Sequence, residues 1–547
     1  MKKLLSLLSI VLVFVLGLTA CSNVKQHSEL NQNIVTYLEP NTFTSLYPPA
    51  AGFYPNGGVL NQTTDRLLYQ DPETLELSPW IATELPKVNA DATEYTFTIR
   101  TDVTYSDGTP MTAENIVKNF DLFGKGDKSR KLTASEQITN YDHGEVINDH
   151  TVKFHFSAPA PGFAQATSSY NAGLISDASL DFDNSKFAPG NAKNVIGSGP
   201  FVVAEEKMGT ELLLKAREDY DWASKTSEHQ GRAYIDGIRY VLASEESVRI
   251  GGLLAGQGDI ARQIEAPEEK HIREEGLNVS SHSTNGATNQ LAFRFRHPLL
   301  QDIRVRQAII AGVDRDDILK TLFSDSYPKA TSVLSSTAKG YVNHEDAYQY
   351  DPEKAKRLLD EAGWEPGPDG IRVKDGKRLS LNINEALPQP RSREVITKVQ
   401  EHLARIGIEI TLNPGDRAAQ DADSMDMNKV QIRHTMVGRA DYDVIKSHLH
   451  SENRDALLNL DPDTEKLGDP ELEALLDKIA SSPKEADRAQ AAADVQQLMA
   501  DKAYSLPLFE EPQVYGMQPY IEGFEEEAIG RPWFYNLTIN HDMKEAQ

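Results

Sequence analysis

Cysteine is nearly absent from this sequence: Cys21 is the only one among 547 residues. One thiol cannot form an internal disulfide, so the chain must be held by packing alone. Positive charge is also scarce, with 56 Lys and Arg against 82 Asp and Glu, a formal net charge of −26. No run of five basic residues occurs. That excludes nucleic acid as the main partner, because a phosphate-binding surface needs clustered cations. After the first 20 residues no apolar stretch reaches membrane-spanning length. Internal repeats and low-complexity segments are missing too.

The signatures of covalent and cofactor chemistry are equally absent. There is no Gly-x-Ser-x-Gly nucleophile turn and no phosphate-binding Gly-x4-Gly-Lys loop. His344-Glu345 begins a zinc-helix pattern but meets Tyr348 where the second histidine belongs. Gly256-Gln257-Gly258 with Ala261 imitates part of a dinucleotide fingerprint, yet it follows an apparent helix rather than a strand. With 82 acidic residues, carboxylate pairs carry no information about glycosidase chemistry. The chain therefore reads as a binding protein without a cofactor. A surface hydrolase is the alternative from another class.

What the sequence does contain is enough apolar material for a large core: 39% hydrophobic residues and 8% aromatic ones. At about 150 residues per domain, its length implies three or four domains or subdomains. Lys2 and Lys3 precede an almost unbroken apolar run over residues 4–18, too short to span a bilayer and of the length of a signal-peptide core. Leu18-Thr19-Ala20-Cys21 follows at once and resembles a bacterial lipobox, whose cysteine is lipidated and becomes the mature N-terminus. Residues 1–20 are then a signal peptide, and residues 21–32, polar and aperiodic, a lipid-anchored tether.

Along the rest of the chain, two periodicities alternate. Tyr95, Phe97 and Ile99 alternate with Thr96, Thr98 and Arg100, and Val152, Phe154 and Phe156 with Lys153 and His155. Both stretches predict half-buried strands. Residues 40–58, rich in Pro, Tyr and Gly, read as a loop. Thr112 is placed to cap a helix with Glu114 in its first turn and Ile116, Val117 and Phe120 on its apolar face. Phe201-Val202-Val203 and Leu212-Leu213-Leu214 flank a turn at Lys207-Met208-Gly209, a hairpin. Asp302 and Asp351-Pro352 each open a helix. A strand with Leu379, Leu381 and Ile383, a helix with Val395 to Gly407 and a strand with Ile408, Ile410 and Leu412 predict a crossover between parallel strands. Asp469-Pro470 opens a late helix, and Ser482-Pro483-Lys484-Glu485 reads as the capping box of another. The class is mixed α/β.

Two clusters carry possible binding chemistry. His434, His448 and His450 include a His-x-His pair that on a strand would put both imidazoles on one face, a donor set for zinc, copper or nickel. Arg439-Ala440-Asp441-Tyr442-Asp443 follows the apolar pair Met436-Val437, and a carboxylate there could hold a ligand ammonium group by charge-assisted hydrogen bonds.

Four ordered blocks tie these elements together. They are Ser106-Asp107-Gly108-Thr109-Pro110-Met111-Thr112-Ala113-Glu114-Asn115, Gly197-Ser198-Gly199-Pro200-Phe201, Asp302-Ile303-Arg304-Val305-Arg306-Gln307-Ala308 with Val313-Asp314-Arg315, and Tyr350-Asp351-Pro352-Glu353-Lys354-Ala355 through Gly363-Trp364. In this order, over residues 39–538, the chain resembles extracellular solute-binding protein family 5, the peptide, nickel and opine receptors of bacterial ABC importers. The resemblance implies a two-lobed clamp of the periplasmic-binding-protein type. Residues 33–65, 195–283 and 510–547 would form lobe I, residues 66–194 its inserted subdomain, and residues 284–509 lobe II. The chain would cross between lobes near residues 284–290 and 505–511.

In peptide-binding members an acid before an aromatic, late in lobe II, holds the ligand's α-amine; Asp441-Tyr442 falls there, with Arg439 beside it. Asp443-Val444-Ile445-Lys446 then departs from the family's proline-containing continuation and leaves the three histidines near the same region. Both an oligopeptide or dipeptide and a metal bound through a small chelator or opine-like molecule are implied as ligands. The implied partners are an ABC permease and ATPase, the protein acting as a monomer anchored to the membrane and facing away from the cytoplasm.

The lipobox gives a direct test. Cys21→Ser is expected to move the protein from the membrane fraction to the soluble one, as read by fractionation and immunoblotting, with its circular dichroism unchanged; firm retention of the variant would show that Cys21 is not the anchor.

Overall fold

The computed structural model describes residues 33–386, 389 and 391–546. The signal peptide, the tether and Cys21 lie outside the described residues. The framework begins with a seven-stranded sheet in which Ile34–Glu39 pairs in parallel with Gly237–Leu242 on one side and Ile260–Arg262 on the other. Val35, Tyr37, Ile238 and Ile260 bury their side chains there. Glu211–Ala216 and Phe201–Lys207 extend the sheet as the expected hairpin. Pro512–Met517 and Asn278–Ser283 complete the opposite edge.

A second, five-stranded sheet runs in the order Glu409–Leu412, Ser380–Asn384, Ile432–Gly438, Gly286–Phe293, Ser505–Phe509. Its first two strands are parallel and joined through the helix Ser392–Ala404, the crossover that the periodicity predicts. Gly286–Phe293 is buried at every position, so its sequence shows no alternation. A third, antiparallel sheet of four strands, Lys87–Val88, Glu94–Thr98, Thr151–Phe156 and Tyr141–Asn148, carries the alternating aromatics on its covered face. The helix Ala113–Lys125 packs on it, with Phe120 4.7 Å from Phe154 and 5.6 Å from Phe163 between ring centroids. Such pairs contribute about 0.5–1.5 kcal/mol each beyond their buried area. Thr112 caps this helix by accepting from the Asn115 amide at 3.2 Å. Gly126 ends it at φ +66°, where a Cβ would stand 2.7 Å from the Leu132 carbonyl oxygen.

The first two sheets are joined twice, and both joins are short. Asn278–Ser283 passes into Gly286–Phe293 through residues 284–285, and Ser505–Phe509 passes into Pro512–Met517 through residues 510–511. These strands remain antiparallel neighbours on either side, pairing at Ser283 with Pro512 and at Asn289 with Phe509. The Thr284 amide donates to the Glu511 carbonyl at 2.7 Å and ties the two connectors together. Gly286, at φ +137°, takes a backbone shape closed to other residues, and a Cβ there would lie 2.2 Å from the Val437 carbonyl oxygen.

Two local expectations are corrected. The segment read as a loop over residues 40–58 contains the start of a helix, Tyr54–Thr63. That helix has no apolar stripe because it is enclosed all round. Asn61 and Gln62 donate to the Pro532 carbonyl at 2.9 and 2.7 Å, and the Asn56 side-chain carbonyl accepts from the Thr44 amide at 2.8 Å. The capping box at Ser482 does not form: the helix Glu485–Asp501 starts after Lys484 without a side-chain cap, and Ser482 instead ends the preceding helix, Pro470–Ser481. The Ser482 amide closes that helix by donating to the Lys478 carbonyl, and Lys484 takes the N-cap position of the next one. Among the described residues no helix is long and apolar enough to cross a membrane.

Candidate functional site

The sheets and their connectors enclose a cavity of about 470 Å³. One wall comes from the seven-stranded side: Tyr54 at the start of the enclosed helix, Arg262 and Gln263 after Ile260–Arg262, and Arg531 near the C-terminus. The facing wall comes from Tyr327, Arg454 and the end of Ile432–Gly438, at Met436, Val437 and Gly438. The four-stranded body supplies Glu136, Gln137 and Tyr170, and the connectors supply Thr284 and Glu511 at the base.

The cationic wall is tightly organised. Arg262 donates to Glu39 in a buried pair, 2.5 Å from Nη2 to Oε1, and its guanidinium lies 3.9 Å from the Tyr54 ring centroid. Burial opposes its charge, but Glu39 outweighs burial and holds the Arg262 pKa above its ordinary value. Arg531 lies between two rings, 4.1 Å from the centroid of Tyr170 and 5.0 Å from that of Tyr54. It donates to the Gly52 carbonyl at 3.0 Å, while its Nε is buried without a partner.

Asp441 does not line this cavity. It is buried just past the lining strand, and both of its oxygens accept from Arg488, the Oδ1 contact at 3.3 Å. Although burial alone would raise its pKa, Arg488 keeps Asp441 below the usual carboxylate range. Arg439 pairs with Asp443 at 2.9 Å; burial, against the pull of Arg439, and the Asp441 charge push Asp443 up to about 6. Tyr442 lies under Arg488, 5.3 Å from its guanidinium, and donates to Glu485 at 3.2 Å. The four-stranded body closes on this group: a Cβ on Gly162 would sit 3.2 Å from Asp441 Oδ2. Nearby, Gln70 donates to the Ala440 carbonyl at 3.0 Å, and Arg454 reaches Glu136 at 2.6 Å.

The three histidines are dispersed. His434 sits on its strand with Nδ1 2.8 Å from the Ser392 hydroxyl and Nε2 unpartnered. His448 and His450 lie at the end of the helix Val444–Leu449, not on a strand, so their rings do not share a face. Both ring nitrogens of His448 are buried without partners. Burial lowers the pKa of His434 and of His448 to about 4. His450 instead pairs with Glu473 at 2.9 Å, and that hydrogen bond raises it. Among the described residues no group of three or more His, Cys, Asp or Glu could hold a metal ion.

Sequence reasoning missed Tyr54, Arg262, Arg531 and Glu511, since only the pairing of distant strands assembles them. The one local signal was the acid pair Glu510-Glu511 set between a buried strand and Pro512. Glu511 is 5% exposed and accepts from the Asn289 amide. Burial raises it from the ordinary value of 4.5 to about 7.

Comparison with known proteins follows this architecture. The family model described as bacterial extracellular solute-binding proteins, family 5 Middle, matches residues 76–447. The oligopeptide-binding protein AppA of Bacillus subtilis is 26% identical over 438 residues, 75% of this chain and 76% of that protein. The dipeptide-binding protein of Escherichia coli is 26% identical over 367 residues, 61% of this chain and 63% of that protein. Among solved structures, NikA from Brucella suis in complex with Fe(III)-EDTA superposes with a TM-score of 0.76 at 22% identity, covering 92% of this chain and 99% of that one. The fold is thus the two-lobed clamp of this family.

Two outcomes are expected. Asp441→Ala strands Arg488 in a buried position and should lower the stability of the ligand-free protein by about 3–5 kcal/mol in denaturant unfolding; a change under about 1 kcal/mol would mean that Asp441 is not needed to hold Arg488. The folded protein retains the Glu511 proton between pH 4.5 and about 7 while the unfolded chain loses it, so this residue's contribution to stability falls as pH rises through that window. Glu511→Gln should therefore gain on the parent across it, by on the order of 3 kcal/mol above pH 8. A pH-independent difference would contradict the buried, neutral state of Glu511.

Proposed function

This chain belongs to family 5 of the bacterial extracellular solute-binding proteins, and from that premise we propose that it is the substrate-binding component of an ABC importer. It captures an oligopeptide or dipeptide between its lobes and delivers it to a membrane permease with its ATPase, acting as a monomer tethered through a lipid on Cys21. The observation that carries this reading is the polar cavity at the base of two lobes joined by paired short connectors. Its volume of about 470 Å³ suits a compact ligand. Two connectors in register allow the lobes to bend about them, the geometry of hinge closure.

The division into moving parts follows the sheets. Every strand of the seven-stranded sheet comes from residues 33–65, 195–283 or 510–547, every strand of the five-stranded sheet from 284–509, and the four-stranded sheet from 66–194. We assign these as lobe I, lobe II and the inserted subdomain. Asp441, Tyr442 and Arg439 are proposed as the group that positions the cleft wall beyond Gly438. Direct capture of a ligand amine by Asp441 would require Arg488 to give up the pair.

A second reading has its own support. Arg262 and Arg531, both held against Tyr54, present cations to the cavity, and a carboxylate-rich chelate of nickel or another metal, or an opine-like anion, would complement them. In that case His434, His448 and His450 would not supply the ligands, since the chelator carries the metal.

Addition of an enzymatic digest of short peptides is expected to raise the melting temperature and shrink the radius of gyration in solution scattering; a ligand at a hundredfold excess over Kd adds about 2.7 kcal/mol. The same response to nickel–histidine but not to peptides would favour the chelate. A bound ligand that leaves the scattering profile unchanged would contradict hinge closure.

A further inference from the structure

We propose that Glu511 is the residue that receives a cationic group of the bound solute, an ammonium or guanidinium, at the hinge end of the cleft. This deepens the capture reading above and rests on it. The assignment starts from position. Glu511 stands on the second connector, between Ser505–Phe509 and Pro512–Met517, and its carbonyl accepts from Thr284 on the first. Its main chain is therefore fixed by both connectors, while its side chain lines the cavity.

The second part is charge. Other buried carboxylates around the cleft already have cations: Glu39 has Arg262, Asp441 has Arg488, and Asp443 has Arg439. Glu511 has none among the described residues; its side chain accepts only from the neutral Asn289 amide. Glu510, next to it, is also without a cation, but it accepts from the Ser336 amide and hydroxyl at 2.9 and 3.0 Å and does not line the cavity. Glu511 is thus a nearly buried carboxyl group at the edge of the cavity, with no counter-charge beside it among the described residues. A carboxylate so placed is costly to ionise alone and strongly favours a cation that arrives with the ligand. Of the phenols, Tyr327 on the same cavity registers the Glu511 charge, which after burial is the largest influence keeping it protonated.

The chemistry selects an organic cation over a bare metal. One carboxylate with an amide neighbour falls short of a divalent-metal donor set. Arg531, which lines the opposite wall beside Tyr54 and Tyr170 and has Glu527 3.7 Å away, supplies the complementary end, so a zwitterion would lie with its cation at Glu511 and its anion toward the Arg531 guanidinium.

The test uses three probes by titration calorimetry on the full mature chain: trialanine, N-acetyl-trialanine and trialanine amide. The parent is expected to bind the two amine-bearing probes at least about thirtyfold more tightly than the acetylated one. Glu511→Gln keeps the shape and the Asn289 contact and should erase that preference; Glu511→Asp, which restores the charge, should recover part of it. Melting curves of both variants verify folding. Equal binding of free and acetylated probes by the parent, or an unchanged preference in Glu511→Gln, would overturn the assignment while leaving peptide capture intact. If neither these probes nor a mixed peptide digest binds the parent, peptide capture fails, and the assignment with it.

Discussion

The structure depends on two strands passing side by side from one sheet to the other. Each connector is only two residues long, and the hydrogen bond from Thr284 to Glu511 holds them in register. Two ties side by side fix how the two sheets sit against one another more firmly than one would. The pairing with Ser505–Phe509 is irregular between Asn289 and Gln290, just inside the five-stranded sheet. The cavity opens at these connectors, which supply Thr284 and Glu511 to its lining. A ligand touching its base therefore contacts the part of the chain whose geometry couples the two halves.

A net charge of −26 does not make the cleft acidic. Its wall on the seven-stranded side is set by arginines, each restrained by an acid, an aromatic face or a carbonyl. Buried pairs such as Glu39 with Arg262 contribute little net stability once desolvation is counted, but they fix side chains that would otherwise search many rotamers. Preorganised donors lose less entropy when a solute arrives. The same logic explains the loop at Asp441: Arg488 and Arg439 neutralise two adjacent carboxylates and hold the turn that follows the lining strand. Gly162, from the four-stranded body, lies close to these acids, and a Cβ there would meet Asp441 and Asp443 oxygens at 3.2 and 3.3 Å, a tight contact.

The neighbouring helices show how local signals compete. Arg488 donates to the Ile479 carbonyl at 2.9 Å as well as to Asp441, so one residue joins both late helices to the turn that follows the lining strand. That packing positions the helix Glu485–Asp501 without any help from Ser482. A capping interaction of about 1 kcal/mol is readily displaced by such a buried contact.

Sequence alone determined whatever depends on residues within about one turn or one strand: the Thr112 and Asp302 caps, the hairpin after Phe201, the strands carrying Tyr95 and Phe154, and the crossover from Leu381 to Ile410. These follow from hydrogen-bonding and alternation rules that act between near neighbours. The ordered blocks added the family and its two-lobed plan. Tertiary structure decided the rest. It made a helix of Tyr54–Thr63 by satisfying its polar side chains from afar, with Pro532 the acceptor for two of them. It gave Asp441 to Arg488, scattered the three histidines, and brought Tyr54, Arg262, Glu511 and Arg531 to one cavity from positions up to 477 residues apart in the chain. Burial and pairing of charge depend on which strands meet, and no spacing along a single chain encodes that meeting.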